Sequence, residues 1–427
     1  MIIDIIQVSQ HPIHKKIQAS SFSTTTFYYL ASMISVQTAK ELINNNKIQT
    51  QKIEIGLRAA IGFASAQDIM APMDFPSFPQ SAMDGYAIRL EDVQKKSPLR
   101  IIGEVQAGNT AAQTVMQAGE TMRIFTGAKM PNGADTVVMQ EKVILEKDTI
   151  TILDEQLAFA ANVRPIASQT KKGNIVVQKG QNITPATCAL LAGLGITNLS
   201  VFAKPKIIII NTGKELVQPG LPILDGQIYE SNSYALHAAL QQLDISPIEI
   251  NWVDDDPIDI KNGLSHAIEN ADIILVTGGV SVGDYDFVHD ALQALGVEKI
   301  LHKIKQKPGK PLYVGKKNNS LIFGLPGNPA SVLTCFYMYV VPAIRHSMGF
   351  ASTELLSIQL PALHPIHKNA GLTHFLKASI TTNGVLALDH QESYKMNSYA
   401  NANALIELNE ETTTIAINDL VKVYLLP

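Results

Sequence analysis

At 427 residues the chain is too long for a single hydrophobic core, and its length predicts roughly two to four domains. Its charges are well mixed and the formal net charge is only −4, which argues against a basic nucleic-acid binder or a polyelectrolyte tail. No apolar run reaches the ~18 residues of a membrane-spanning helix. Cys188 and Cys335 lie in apolar contexts, which favours two buried thiols in a reducing compartment over a disulfide.

The first 32 residues do not resemble the start of a folded domain. They carry basic residues in the middle and no continuous apolar stretch before a cleavage site, so they make a poor signal peptide. From Met33, "MISVQTAKELI" predicts an amphipathic helix with Ser35 as its N-cap. We expect residues 1–32 to be a disordered leader or a mis-assigned start, and favour the second.

The N-terminal half predicts a domain interrupted by another. Apolar residues recur at helical spacing as far as residue 70, including the region of Leu57. Prolines then exclude a helix, and short β-like runs separated by Gly and Asn-Gly turns predict a β domain over residues 71–164. Helical character returns with Thr184 as an N-cap. We therefore predict an extended, discontinuous domain comprising residues 33–70 and 165–203.

The C-terminal half alternates strands and helices before returning to strands. Apolar strands such as "PKIIII" and "DIILVTGG" alternate with helices such as "SNSYALHAALQQLD" and "NPASVLTCFYMYVVPAI", the last with Asn328 as N-cap. This order predicts a doubly wound, mostly parallel α/β domain over residues 204–353. Short strands over residues 354–427 predict a small C-terminal β domain. The expected fold class is therefore multidomain α/β plus β.

Four polar segments follow strands of the α/β domain: "NTGKEL" (211–216), "DDDP" (254–257), "TGGVSVGDYD" (277–286) and "GLPGNPAS" (324–331). Because parallel strands end at the same edge of a sheet, these loops should meet there, where ligands of such folds bind. Glycine-rich backbone and helix N-termini favour phosphate. The acids in these loops would repel phosphate unless a cation such as Mg²⁺ bridges the two; they are Glu215, Asp255, Asp284 and Asp286.

Each of these acids also has an ordinary structural explanation. Asp256 and, less readily, Asp255 could cap the helix that begins at Pro257. Asp284 could cap the following helix, and Glu215 could be a solvated loop acid. Any one acid is therefore weak evidence, whereas four at one predicted edge are stronger evidence for a cation site.

A lysine-rich segment, "LHKIKQKPGKP", precedes the last strands of the α/β domain. Period-two spacing places Lys303, Lys305 and Lys307 on one face of an extended strand, and Lys310 follows in a Pro-Gly turn. Lysines on a solvated edge strand prevent aggregation, which is the ordinary explanation, chiefly for Lys305. Beside an acidic, Mg²⁺-binding edge, fixed ammonium groups would suit a polyanionic substrate. No Ser-His-Asp or Cys-His arrangement predicts a covalent mechanism.

Five motifs occur in order: "PSFPQSAMDGYAI", "RIFTGAKMPNGADTVVMQE", "TGGVSVGDYDF", "KPGKP" and "GLPGNPAS". Together they resemble the molybdopterin molybdenumtransferases, the MoeA family, which includes the E domain of gephyrin. The resemblance runs from about Met33 to the C-terminus. It implies an elongated homodimer whose active site lies between the third and fourth domains of one subunit and the second domain of its partner.

The resemblance also implies the reaction. Adenylylated molybdopterin and molybdate would be the substrates, Mg²⁺ the cofactor, and molybdenum cofactor and AMP the products. The enzyme would be cytoplasmic, bind neither nucleic acid nor membrane, and share its pathway with a molybdopterin adenylyltransferase. The choice between molybdate and tungstate stays open.

Carried over residue by residue, the resemblance implies catalytic roles for Asp84 (supplied by the partner subunit), Glu215, Asp255, Asp286, Lys303 and Lys307. Of these, Glu215, Asp255 and Asp286 would hold Mg²⁺. The substrate-binding residues would be Gly278, Gly279, Ser281, Gly283, Lys310, Pro326, Gly327, Asn328, Lys377 and Ser393. Thr126 belongs to a matched motif, with either a functional or a structural role.

Two positions depart from the family pattern. Ala167-Ser168-Gln169 stands where many members carry Gly-Glu-Asp, and Lys377 stands where the family has an arginine near molybdate. Lysine keeps the charge but loses the bidentate geometry of arginine. We expect reduced activity or altered anion affinity, but not an inactive paralogue, because the acids of the α/β edge are retained.

Two other functions fit part of the sequence. A molybdopterin adenylyltransferase, or another nucleotide-handling enzyme, could be built on the α/β domain alone. A non-catalytic scaffold is the second alternative, since gephyrin's E domain also dimerises beneath membrane receptors. The additional β domains and "SAMDGY" favour the molybdenumtransferase over the first, and the lack of a scaffold linker argues against the second.

Overall fold

A six-stranded sheet forms the centre of the α/β domain. The computed structural model describes residues 33–108, 115–279 and 287–427. In spatial order the central strands are Glu249–Val253, Ile207–Thr212, Ile273–Thr277, Ser320–Leu325, Tyr313–Lys317 and Glu298–His302. The first four run parallel. Tyr313–Lys317 runs in the opposite direction, and Glu298–His302, which is antiparallel to it, runs in the same direction as the first four. The predicted doubly wound, mostly parallel sheet is therefore confirmed.

Helices cover both faces of this sheet, which explains the continuous apolar runs of its central strands. Ile207 and Ile209 face a core that includes Leu236 and Val332, whereas Ile208 and Ile210 face a second core. The helices of the first face are Asn232–Gln241, Pro329–Cys335 and Val341–Ser347, the last two joined by the π-helical turn Phe336–Val340. Those of the second face are Pro257–Asn270 and Phe287–Ala294.

The order of the strands creates a crevice. The chain passes from Ile207–Thr212 to Glu249–Val253 on one side, and returns to Ile273–Thr277 on the other side of the first strand. The two connecting helices, Asn232–Gln241 and Pro257–Asn270, lie on opposite faces. Such a reversal leaves a crevice at the carboxyl ends of the two diverging strands.

The N-terminal domain is built from distant pairs of short strands. Lys52–Gly56 pairs with Asn198–Phe202, Ile69–Met70 with Ile175–Val177, and Gln80–Ser81 with Val163–Arg164, all antiparallel. The first two pairs join the two segments that the sequence assigned to one discontinuous domain, whereas the third lies within the range assigned to the β domain. The exact boundaries stay a prediction, and the expectation for residues 1–32 lies outside the described residues.

Two of the predicted helices in this domain have the expected caps. Val36–Asn45 begins after Ser35, whose side chain accepts a hydrogen bond from the Thr38 backbone N–H at 3.1 Å. Pro185–Gly193 is capped in the same way by Thr184. The helix expected around Leu57 was wrong, because the chain forms only the 3-10 turn Leu57–Ala59 after the strand Lys52–Gly56.

The β insert is a six-stranded sheet. Its strands are, in spatial order, Thr136–Met139, Gly85–Ile88, Glu120–Ile124, Leu99–Val105, Thr149–Ile152 and Val143–Glu146, with a short helix at Leu90–Val93. Gly85 packs tightly against the neighbouring strand, since a Cβ at this position would lie 2.0 Å from the carbonyl oxygen of Val138. Only glycine fits there, directly after Asp84.

The C-terminal domain contains a sheet whose strands are, in order, Gln306–Lys307, Thr373–Thr381, Ala404–Leu408, Leu420–Leu425 and Ser357–Pro361, with Gly384–Ala387 forming a hairpin on Thr373–Thr381. Along the chain, the short helix Met396–Tyr399 follows the strand Gly384–Ala387 and precedes Ala404–Leu408. The antiparallel pair Ile366–His367 and Thr414–Ile415 lies outside this sheet. Its first strand comes from the lysine-rich segment of the α/β domain.

The predicted lysine face on a single strand was wrong. The strand Glu298–His302, at the edge of the central sheet, ends before Lys303, where a φ of +69° turns the chain. Gln306–Lys307 then pairs in parallel with the C-terminal sheet, and Lys305 lies 3.7 Å from the Glu410 carboxylate. The period-two pattern could not reveal that the chain changes sheets between the lysines.

The expectation of two buried thiols holds for one of them. Cys188 and Cys335 are both free, but Cys188 is only half-buried, whereas Cys335 is buried and burial raises its pKa to about 12. No described helix has both the length and the apolar character needed to cross a membrane.

Candidate active site

A cavity of about 630 Å³ opens at the carboxyl ends of the parallel strands, in the crevice described above. One wall comes from the α/β domain and another from the C-terminal domain, through Gln391 and Ser393. Nine of the predicted site residues line it: Glu215, Gly278, Gly279, Lys307, Lys310, Pro326, Gly327, Asn328 and Ser393. Residues that the sequence placed far apart are therefore brought together at one site.

The other predicted residues fall into two groups. Asp84, Asp255, Lys303 and Lys377 are described but do not line this cavity. Ser281, Gly283 and Asp286, together with the alternative cap residue Asp284, lie outside the described residues.

Several polar residues of the cavity were missed from the sequence: Thr212, Asn232, Thr277, Gln306 and Gln391. Thr212 and Thr277 are the last residues of adjacent parallel strands, so their position at the carboxyl edge was an available signal. Gln306 and Gln391 had no such signal, because their places depend on pairing with the C-terminal sheet.

The glycine pair lets the chain pass close to the neighbouring strand end. Gly278 has φ of +83°, and a Cβ there would lie 2.4 Å from the carbonyl oxygen of Thr212. A side chain is therefore excluded by both conformation and space. The backbone at this edge is left open to a ligand.

The turn that joins the two lysines of the cavity is held by a buried glutamine. Gln306 is 1% exposed, and its Nε2 donates to the carbonyl oxygens of Pro308 at 3.0 Å and Gly309 at 3.2 Å. Its Oε1 accepts a hydrogen bond from the Tyr339 hydroxyl. These bonds fix the turn between Lys307 and Lys310 from its inner side.

Ser393 connects the C-terminal domain to the "GLPGNPAS" loop. Its Oγ accepts a hydrogen bond from Asn328 Nδ2 at 2.8 Å, and its carbonyl oxygen accepts one from the Ala330 backbone N–H at 3.1 Å. Asn328 precedes the helix as predicted, but its side chain does not cap the helix. The first turn is instead capped partly by Ser393.

Lys377 lies behind this wall and is 3% exposed. Its Nζ donates to the carbonyl oxygens of His390 at 2.7 Å, Glu392 at 3.2 Å and Lys395 at 3.0 Å. Burial lowers the pKa of this ammonium group. An ammonium group has three protons, and three carbonyls account for them. These contacts do not support the expected contact with molybdate; they make Lys377 the residue that holds the Ser393 loop.

The predicted metal ligands are only partly described. Glu215 is an exposed residue of the cavity, and Asp255 follows the edge strand Glu249–Val253. Asp256 caps the next helix, accepting from the backbone N–H groups of Ile258 and Asp259, so its structural explanation is confirmed. No group of three or more His, Cys, Asp or Glu residues in the described part of the chain is arranged to hold a metal. Glu215 is the described member of the predicted set that lines the cavity, and the Mg²⁺ site stays a prediction.

Asp84 lies in the β insert, in an exposed loop. Its carboxylate accepts hydrogen bonds from the backbone N–H and the hydroxyl of Thr126, at 2.7 and 2.9 Å. The two bonds from Thr126, aided by the nearby Arg123, lower the pKa of Asp84. Thr126 therefore has a structural role in holding Asp84, whose domain contributes no described residue to this chain's own cavity.

Three family models cover most of the chain. The MoeA N-terminal region (domains I and II) matches residues 34–195, a probable molybdopterin binding domain matches residues 208–346, and the MoeA C-terminal region (domain IV) matches residues 359–426. A curated molybdopterin molybdenumtransferase from Haemophilus influenzae is 33% identical over 393 residues, which is 91% of this chain and 97% of that protein. The chain belongs to the MoeA family.

Other MoeA-family relatives agree. A molybdopterin molybdenumtransferase from a Nostoc species is 39% identical over 305 residues, 70% of each chain. The crystal structure of a molybdopterin biosynthesis MoeA protein from Pyrococcus horikoshii OT3 superimposes with a TM-score of 0.81 at 29% identity, covering 92% of this chain and 100% of that one. The expected family, fold class and membership in an enzyme family of molybdenum cofactor biosynthesis are confirmed. The individual site residues stay predictions.

The Lys377 contacts generate a first prediction. Lys377→Met should lower the free energy of unfolding by about 1–3 kcal/mol, because three partly buried carbonyl oxygens lose their donor. Lys422→Met is the matched control, since Lys422 is more exposed and forms a surface ion pair with Glu407. Thermal and denaturant unfolding measure both. A Lys377→Met protein with unchanged stability and weakened molybdate binding would instead support direct contact with the anion.

A second prediction concerns His374, the strand partner of Lys307. Burial, together with the charges of Lys368 and Lys307, lowers the pKa of His374 from 6.5 to about 4. Between these values the unfolded chain binds a proton that the folded chain does not, so His374 makes stability fall as pH drops from about 6.5 to 4.

His374→Asn should therefore lose less stability than the wild type over this pH window. Melting temperatures at pH 7 and pH 4.5 give the difference for each protein, which removes any constant effect of altered packing. His364→Asn, at an exposed position, is the control. An identical pH dependence in the His374 variant and the wild type would contradict the prediction.

Proposed function

We propose that this protein inserts molybdate into adenylylated molybdopterin and releases AMP, with Mg²⁺ as the cofactor. The observation that carries the proposal is the cavity that joins Gly278 and Gly279, Lys307 and Lys310, and Ser393 at one strand edge. It combines backbone for phosphate, fixed positive charge, and a polar wall from a second domain. The family relationship supplies the reaction class.

The phosphate-rich part of the substrate would lie against the glycines and the lysines. Backbone N–H groups at a glycine-rich strand end favour phosphate oxygens. The ammonium groups of Lys307 and Lys310, on a turn fixed by Gln306, neutralise charge without needing to reorganise when the reaction occurs.

Molybdate would approach from the side of Ser393. The Ser393 Oγ already accepts a hydrogen bond from Asn328, which leaves its own hydroxyl proton to be donated to an oxyanion. Lys377 would not contact molybdate; its role would be to hold the loop that carries Ser393. Replacement of the family arginine by Lys377 therefore changes the support of the molybdate site.

Glu215 and Asp255, with Asp286, would hold Mg²⁺. When bound, the ion supplies Lewis-acid stabilisation of the pyrophosphate that is cleaved. Glu215 is the one of these acids that lines the described cavity. Ser281 and Gly283 would add to the phosphate-binding loop, and their roles rest on the resemblance alone.

We also propose a homodimer in which the partner subunit supplies Asp84. The Asp84 carboxylate is ordered and ionised but does not line the cavity of its own chain. A second copy would bring its insert domain to the cavity and complete the set of predicted catalytic residues. The two unpaired cysteines suit a reducing compartment such as the cytoplasm, where a separate adenylyltransferase would supply the substrate.

A nucleotide-handling enzyme built on the α/β domain alone is less well supported. Such an enzyme would not need Gln391 and Ser393 of the C-terminal domain as cavity walls, nor the two flanking regions matched by MoeA models. Nothing in the described residues favours a purely non-catalytic scaffold over the enzyme.

The direct test supplies the protein with adenylylated molybdopterin, Mg²⁺ and molybdate, and measures AMP together with the cofactor formed. Lys307→Ala should reduce the rate by about 10²-fold, because it removes a preorganised charge at the phosphates. Lys305→Ala, which removes a lysine paired with Glu410 outside the cavity, should change the rate little. AMP release without cofactor formation would indicate a hydrolase, and full activity of Lys307→Ala would refute the site.

The shared active site predicts complementation between inactive variants. Asp84→Ala and Lys307→Ala should each be inactive alone, whereas co-expressed chains should recover about a quarter of wild-type activity through mixed dimers with one intact site. Glu215→Ala with Lys307→Ala is the control pair: both residues belong to the same chain's cavity, so no site is restored. Equal recovery in both pairs, or none in either, would contradict a site completed by the partner's Asp84.

A further inference from the structure

One polar atom of the Asn232 side-chain amide has a hydrogen-bond partner, whereas the other is buried without a partner among the described residues. It is the first residue of the helix Asn232–Gln241, is 8% exposed, and lines the cavity. Its Nδ2 donates to the carbonyl oxygen of Gly327 at 2.8 Å, whereas its Oδ1 has no hydrogen-bond partner among the described residues. Buried polar atoms are normally paired, so the exception calls for a reason.

The identity of the unpaired atom is fixed by its neighbour. A carbonyl oxygen can only accept hydrogen bonds, so flipping the amide would set Oδ1 against the Gly327 carbonyl oxygen and lose the existing bond. The amide therefore keeps Nδ2 on Gly327. The atom left over is an acceptor, which pairs with an N–H or O–H group or coordinates a cation.

The surroundings of Asn232 disfavour an anion at this part of the cavity. A helix N-terminus normally attracts phosphate, but the buried carboxylate of Glu230 already occupies this one. Its oxygens accept from the backbone N–H of Ser233 at 2.7 Å and from the Ser233 hydroxyl at 2.5 Å. Positive charge in the cavity comes from Lys307 and Lys310 on a different segment. The wall at Asn232 thus suits a hydrogen-bond donor rather than an anion.

We propose that Asn232 Oδ1 accepts a hydrogen bond from the exocyclic amino group of a heteroaromatic ring of the substrate. The inference rests on the proposed function, because adenylylated molybdopterin carries two such groups, on its adenine and on its pterin. The same acceptor rejects a ring with an oxo group at that position, since two acceptors would then face each other. Asn232 is accordingly a specificity-determining residue, and its bond to Gly327 positions it.

The test measures equilibrium binding of two ligand pairs to the full-length protein. In the first pair AMP is compared with purine riboside 5′-monophosphate, which lacks the amino group. In the second pair pterin is compared with lumazine, in which an oxo group replaces the amino group. The wild type should prefer the amino member of one pair by about fivefold to tenfold, the effect of one hydrogen bond. The pair that shows the preference identifies the ring at Asn232.

Asn232→Leu should abolish that preference. Asn319→Leu, remote from the cavity, is the matched control and should behave as the wild type. If Asn232→Leu weakens both members of a pair equally, the residue only supports the Gly327 loop and the proposal is overturned. It is also overturned if the wild type prefers neither amino compound, or if the Leu variant keeps the preference.

These measurements are independent of molybdate insertion. A protein that shows the Asn232-dependent preference but forms no cofactor would retain the binding inference and refute the proposed function. A protein that inserts molybdate but shows no such preference would retain the proposed function and refute the binding inference.

Discussion

Parallel pairing of Gln306–Lys307 with Thr373–His374 joins the α/β domain to the C-terminal sheet, and the cavity depends on this joint. The chain leaves the central sheet after His302 and adds one short strand to another sheet before returning through a Pro-Gly turn. The turn places Lys307 and Lys310 on the cavity wall, between the strand ends of one domain and the Ser393 loop of the other. A site at a domain junction thus becomes part of one connected backbone network.

Ionised and polar side chains inside the walls have structural tasks that differ from those at the surface of the cavity. Lys377 holds three carbonyl groups behind Ser393, and Glu230 holds two donors of Ser233. Removing either would leave its partners unpaired, which costs more than the bond itself contributes. These bonds help to keep the loops of the site in one conformation.

Features that depend on short stretches of sequence could be predicted, whereas features that depend on pairing between residues distant in the sequence could not. The caps at Ser35 and Thr184, the apolar strands and the meeting of glycine-rich loops at one edge each follow from short stretches or from parallel topology. The strand Lys52–Gly56 was mistaken for helix because its partner lies more than a hundred residues away. The contacts of Lys377 were not predicted for the same reason, since its carbonyl partners become neighbours only when the hairpin and the following loop fold back.

Two buried amides in the cavity walls show why partial satisfaction is informative. Gln306 uses its Nε2 on the Pro308 and Gly309 carbonyls and its Oε1 on the Tyr339 hydroxyl, so both polar atoms of its amide have protein partners. Asn232 anchors Gly327 with its Nδ2 in a comparable way, yet its Oδ1 is buried and unpaired among the described residues. Both amides organise a loop of the site. Only the second also leaves an acceptor that a substrate can pair, which separates a scaffold role from a recognition role within the same cavity.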